Sequence, residues 1–258
     1  MRARLLTAAI GIPVVIAALY LGGPVFFILM TLYSLGAMFE FARMLGLSGS
    51  ASAAAGGIIV VPYYLNLYFH FLPWDAYLLL YILIAASIFF VFCFSKLDFQ
   101  QSSGLIFGGI YITVLASTLA LVRNMDKGMI LTLAVFLVTW GTDTGAFFIG
   151  MLLGKQKLAP AISPNKSWAG AIGGFFTGII IATAIGILIK GNVLIFFLWG
   201  CSAAIFGQIG DLCESAFKRF AGVKDSGKFF PGHGGFLDRI DSLLFVSALA
   251  YIFFGVLA

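Results

Sequence analysis

Residues 168–189 read WAGAIGGFFTGIIIATAIGILI, 22 residues without one charged side chain. As an α-helix rising 1.5 Å per residue, such a run crosses the roughly 30 Å hydrocarbon core of a bilayer. Its apolar residues are continuous rather than alternating, which predicts a spanning helix and not a barrel strand. Gly170, Gly174 and Gly178 recur every four residues within it, the spacing that lets two helices approach closely. Eight further runs of this kind lie at roughly 4–22, 24–44, 53–72, 75–95, 104–123, 129–151, 192–213 and 236–257. The predicted fold class is therefore an all-α, polytopic integral membrane protein with about nine transmembrane helices. Composition agrees: 62% of the 258 residues are hydrophobic and 10% charged, against about 25% charged in a soluble domain. So little charge cannot cover a water-facing surface. The first run opens Met1-Arg2-Ala3-Arg4, like a signal sequence. It is long, no clear small-residue cleavage site follows, and the next span comes at once, so it reads as a retained helix.

The formal net charge is +5. The positive charges sit in loops between apolar runs, which points to membrane topology and anionic ligands rather than nucleic acid. With the N-terminus in the cytoplasm, 12 of the 15 Lys and Arg residues fall inside, and Arg123, Lys127 and Lys190 fall outside. Nine spans then put the C-terminus outside. The expected location is the cell's inner membrane, with the active site facing the cytoplasm. Cys93, Cys201 and Cys213 lie in or beside apolar runs without paired spacing, so neither a disulfide framework nor a zinc site is expected. No internal repeat is visible. Residues 1–125 carry few ionisable groups and read as an N-terminal transmembrane scaffold; residues 126–258 read as a C-terminal transmembrane catalytic region. Two cytoplasmic loops in that region, 152–167 and 214–235, are long and polar, as functional loops are.

Glu40, Asp75, Asp98 and Asp126 fall near helix ends or in short loops, where a solvated surface role is expected. The other six acidic residues, Asp143, Asp211, Glu214, Asp225, Asp238 and Asp241, lie in or beside C-terminal apolar runs, where ionisable groups are costly and mark function. Asp211 and Glu214 are three apart, as are Asp238 and Asp241; Ser215 and Lys218 extend the first pair's helical face. Between the pairs, the Gly-rich segment 224–235 holds Lys224, Asp225, Lys228 and His233. Its glycines allow successive backbone N–H groups to face an anion. Asn165, Lys166 and Ser167 stand at the entrance of the 168–189 helix and form an anion-binding set, although Ser167 can equally cap that helix. Carboxylates without paired histidine or cysteine suit a hard cation such as Mg²⁺. Basic residues and glycines suit phosphate, and spanning helices suit a lipid co-substrate.

Ser215-Ala216-Phe217-Lys218-Arg219, then Lys224-Asp225, then His233-Gly234-Gly235-Phe236-Leu237-Asp238-Arg239-Ile240-Asp241 resembles the signature of the phosphatidate cytidylyltransferases, also called CDP-diacylglycerol synthases. The Asp143 segment and Ser163-Pro164 with Lys166-Ser167-Trp168 and Gly170 also look like that family. The resemblance covers about 140–242; the N-terminal spans match only as generic membrane helices. It implies that CTP and phosphatidate give CDP-diacylglycerol and pyrophosphate. It further implies an all-helical membrane enzyme, a homodimer, and dependence on Mg²⁺ or another divalent cation such as Mn²⁺, with or without a second cation. On that resemblance Lys218, Arg219, Lys224, Asp225, His233 and Asp238 are candidate catalytic residues. Asn165, Lys166, Ser167, Ser215, Gly234, Gly235 and Arg239 are candidate substrate contacts. Asp143, Asp211, Asp225, Asp238 and Asp241 are candidate metal ligands. Two other readings stay open: a CTP-dependent kinase of a polyprenol-type alcohol, and a cation or proton transporter using intramembrane carboxylates.

Overall fold

The computed structural model describes residues 2–71, 76–92, 97–230, 232 and 234–256, and divides into two compact units. The first unit comprises residues 1–120 and 221–239. Its helices are α1 (Arg2–Leu21), α2 (Gly23–Met44), α3 (Gly49–Phe69), α4 (Ala76–Phe92) and α5 (Phe99–Gly108). A π-helical turn (Gly109–Val114) then leads into α6 (Leu115–Arg123), which runs past the unit boundary. The chain breaks between α1 and α2 at Gly22 and Gly23, both with positive φ, and Pro24 opens α2 where its missing N–H costs nothing. Asp98 starts α5 in a reciprocal capping box with Gln101, so this acidic residue serves a helix end. Phe26, Met38, Ile59, Tyr63, Leu67, Ile82, Leu105 and Ile112 fill the core. Buried hydroxyls pair across it, Ser34 with Tyr64 at 2.9 Å and Tyr63 with Ser117 at 3.0 Å, which keeps polar groups satisfied away from water.

The second unit comprises residues 121–220 and 240–258. It contains α7 (Gly128–Leu153), β1 (Lys157–Ala159), β2 (Ser163–Ser167), α8 (Trp168–Leu188), α9 (Val193–Phe220) and most of α10 (Leu237–Gly255). The glycine stripe of α8 is buried as its spacing predicts. A Cβ on Gly174 would stand 2.7 Å from the Thr142 carbonyl oxygen of α7, and one on Gly178 would stand 2.9 Å from the Ala204 Cβ of α9. Only glycine permits backbones this close. The opposite face of α8 exposes Ile172, Phe176, Ile180 and Leu188. A contiguous apolar face of this kind belongs against lipid tails.

Six helices among the described residues are long and apolar enough to cross a membrane: Gly23–Met44, Gly49–Phe69, Phe99–Arg123, Gly128–Leu153, Trp168–Leu188 and Val193–Phe220. The expected nine are not all of this type. Among the described residues, α4 covers 17 residues and the apolar stretch of α1 covers Gly11–Leu21. α10 has 19 residues but carries Asp238, Arg239 and Asp241 at its start. The long polar loop 152–167 also differs from expectation, since it folds into an antiparallel hairpin with Lys157 opposite Ser167 and Ala159 opposite Ser163.

Candidate active site

In the second unit, Gly210 of α9 sits against the backbone of α10, where a Cβ would lie 2.6 Å from the Asp241 carbonyl oxygen. This close approach brings Asp211 beside Asp241. Asp241 is half-buried and feels the negative charges of Asp211 and of Asp143 on α7, with Lys218 as a positive neighbour. Its Oδ1 accepts the Ser242 N–H at 2.6 Å. The Asp211 carboxylate pairs with the Lys166 Nζ at 2.6 Å and accepts the Ser215 hydroxyl at 3.4 Å. Lys218 pairs with Glu214, one turn away and fully buried. The hairpin thus delivers Lys166 to the carboxylates, and α9 delivers Lys218.

Other predicted residues of this unit have structural partners. Ser167 is buried and its Oγ accepts the Gly170 N–H at 3.2 Å, so it caps α8. Arg219 donates through Nε to the Ile162 carbonyl at 3.1 Å and thereby holds the hairpin turn. Asn165 lies exposed on β2.

The first unit holds a second arrangement, built on the segment 221–239. Asp238 Oδ2 accepts the Ser226 N–H at 2.9 Å, the Ser226 hydroxyl at 3.0 Å and the Gly235 N–H at 2.8 Å. Glu40 Oε2 accepts the same hydroxyl at 2.9 Å and the Leu237 N–H at 3.1 Å. One hydroxyl proton is thus within reach of two carboxylates. Phe230 and Gly234 close the turn through a backbone bridge, with Gly234 at φ 81°. Phe230 stacks on Tyr33 of α2, and Phe236 meets the same ring edge-on. A cavity of about 660 Å³ opens between α2 and this segment, with Phe39, Arg43, Lys228, Phe229 and Phe236 on its walls. Lys224, Asp225, Lys228 and Arg239 are exposed. His233 lies outside the described residues, so its predicted role has no geometry here.

Against these two arrangements stand the comparisons with known proteins. The cytidylyltransferase family model matches residues 2–257. The chain belongs to the cytidylyltransferase family. Relatives of the family named phosphatidate cytidylyltransferase occur in Staphylococcus aureus strain COL, at 36% identity, and in Staphylococcus saprophyticus, at 35%. A third, from Staphylococcus epidermidis, is 34% identical; each alignment covers 98% of this chain and 98% of the relative.

The sequence resemblance implies a divalent cation, and the donor set can be tested for one. Among the described residues no three His, Cys, Asp or Glu side chains close on one point as a complete metal nest. Asp241 has Asp211 and Asp143 as negatively charged neighbours, and all three offer hard oxygen donors. Mg²⁺ is typically held by one or two carboxylates together with substrate phosphates and water, so this donor set fits it.

One residue of this family member escaped sequence reasoning. Glu40, expected on the solvated surface, is 6% exposed and bonded to the signature segment. Its signal is a carboxylate inside the apolar run 24–44, one turn from the end of that run.

Proposed function

We propose that the protein is a phosphatidate cytidylyltransferase, making CDP-diacylglycerol and pyrophosphate from CTP and phosphatidate. The observation that carries this reading is the match to relatives of that name over 98% of both chains. The chemistry of the site agrees. A phosphate monoester has a second pKa near 6 and is largely ionised at pH 7. Its oxygen can therefore attack the CTP α-phosphorus without a general base, breaking the bond to the bridging oxygen and releasing pyrophosphate. The enzyme's task is to hold two anions together and to steady the leaving group. Lys166 and Lys218 provide positive charge beside the carboxylates of the second unit. Lys224, Lys228 and Arg239 provide it on the exposed surface of the first. Asp211 and Asp241, with Asp143, would hold a divalent cation, which when bound would draw charge from phosphate oxygens.

This reading includes nine membrane passages, a cytoplasmic active site at the inner membrane, and a homodimer. The positive-inside bias of the loops supports the orientation. A lipid-alcohol kinase or a transporter is not favoured by the family match. The test uses protein in detergent with Mg²⁺, phosphatidate and CTP labelled at the α-phosphate. Label should enter the lipid with stoichiometric pyrophosphate. Label left in soluble CDP while an added polyprenol is phosphorylated would overturn the assignment.

A further inference from the structure

Glu40 is a buried carboxylate that accepts hydrogen bonds from two neutral donors, the Ser226 hydroxyl and the Leu237 N–H. Charge in such a place is costly to keep. A packing role alone would be served by an apolar residue of similar volume. Everything around Glu40 is shaped to admit it. A Cβ on Gly227 would lie 2.1 Å from Glu40 Oε1, and one on Gly235 would lie 2.2 Å from Oε2. Both glycines belong to the segment that carries the signature residues. Gly36, one turn earlier on α2, leaves room for the Phe236 ring, which a Cβ would meet at 2.5 Å. The segment is therefore fastened to α2 twice, by an aromatic contact and by a carboxylate.

The carboxylate has the more specific task. Through Oε2 it holds Ser226 at one end of the segment and Leu237 at the other. The same Ser226 donates its N–H to Asp238 Oδ2, and its hydroxyl lies between that oxygen and Glu40 Oε2, at 3.0 and 2.9 Å. Moving Ser226 would thus move Asp238, and with it the start of α10. We infer that Glu40 is a positioning residue for cytidylyl transfer, fixing the 226–238 segment so that its charged side chains meet the substrate phosphates in one geometry. This rests on the proposed cytidylyltransferase activity. The role inferred for Glu40 acts through Ser226 and Leu237.

The test compares Glu40→Gln, Glu40→Ala and wild type, purified in detergent. Gln retains a carbonyl oxygen that can accept both bonds, whereas Ala removes the acceptor. Hydrogen exchange of peptides covering 224–238 reads the tether directly. Glu40→Ala should exchange at least ~10-fold faster there with α7–α9 unchanged, and Glu40→Gln should stay near wild type. Kinetically, Glu40→Ala should lose about 100-fold in kcat, the scale of losing alignment at a reacting centre. Glu40→Gln should recover most of it, and KM for CTP should move far less than kcat. Unchanged exchange over 224–238 in Glu40→Ala overturns the inference whatever the activity. So does a Gln variant as impaired as Ala with faster exchange across the whole chain, which marks a general folding role. If wild type itself transfers no label to lipid, the activity reading has failed, the transfer role falls with it, and the exchange data separately decide whether the tether exists.

Discussion

Asp238 and Asp241 stand three residues apart on α10, and replacing each by Asn should reduce activity while moving stability in opposite directions. Asp241 sits among like charges, Asp211 and Asp143. Two unit charges about 4 Å apart at an effective dielectric of about 20 interact by about 4 kcal/mol, and by proportionately less when farther apart. Asp241→Asn removes such repulsion and loses one hydrogen bond acceptor of full charge, at Ser242 N. A net gain of about 1 kcal/mol is expected, or about 2–4 °C in Tm for a chain of this size. Asp238 is the reverse case, since its Oδ2 accepts three hydrogen bonds at 2.8–3.0 Å. Bonds to a charged acceptor contribute about 1.5–3 kcal/mol each, and Asn keeps weaker versions of some. Asp238→Asn should therefore cost about 2–3 kcal/mol. Thermal melts are run in EDTA at pH 8, above the ordinary carboxylate range, with turnover measured separately in Mg²⁺. Each variant should lose about 100-fold or more in turnover. Added Mg²⁺ should stabilise wild type and give Asp241→Asn little. A Tm that falls for Asp241→Asn in EDTA would refute the repulsion argument, and near-normal turnover would remove Asp241 from the chemistry.

Gly174→Ala should destabilise by about 1–3 kcal/mol through overpacking on Thr142, while Gly57→Ala, whose Cβ meets nothing within 4 Å, should leave Tm unchanged or higher. Lys166→Met removes the partner of the Asp211 carboxylate in a partly buried ion pair, which should lower Tm because a carboxylate is left uncompensated; kcat/KM should fall more than ~10-fold if Lys166 binds phosphate, and an unchanged kcat/KM removes Lys166 from the site. Lys228→Cys, at an exposed position of the 224–238 segment, should be protected in intact cells from an impermeant thiol reagent, and labelling from outside would invert the topology.

Membrane class and the close-packing glycine face of α8 were legible because both are written in local patterns. Continuous apolar runs set the first, and glycine every fourth residue set the second. The hairpin 157–167 was not, because KLAPAISPNKS has neither alternation nor many β-branched residues. It is held instead by contacts from outside, such as Arg219 on the Ile162 carbonyl. Span number was blurred for a different reason. Hydropathy registers apolar length, but the charges opening α10 depend on where that helix begins.

The candidate site divides along the same line. Residue types suited to phosphate and a hard cation were visible, but which atom serves which partner was not. Glu40 and Ser226 are separated by 186 positions, a distance over which no local pattern carries information. Ser167, Arg219 and Asp238 each combine a charged or polar group suited to chemistry with a bond that holds backbone in place. Where flexible, mutually repelling anions must be ordered, the two roles of each residue reinforce each other. A cation or carboxylate can order phosphates only if its own position is set first. Here that positioning uses backbone groups at a helix start and a hairpin turn, so part of the signature motif builds the surface on which the rest acts.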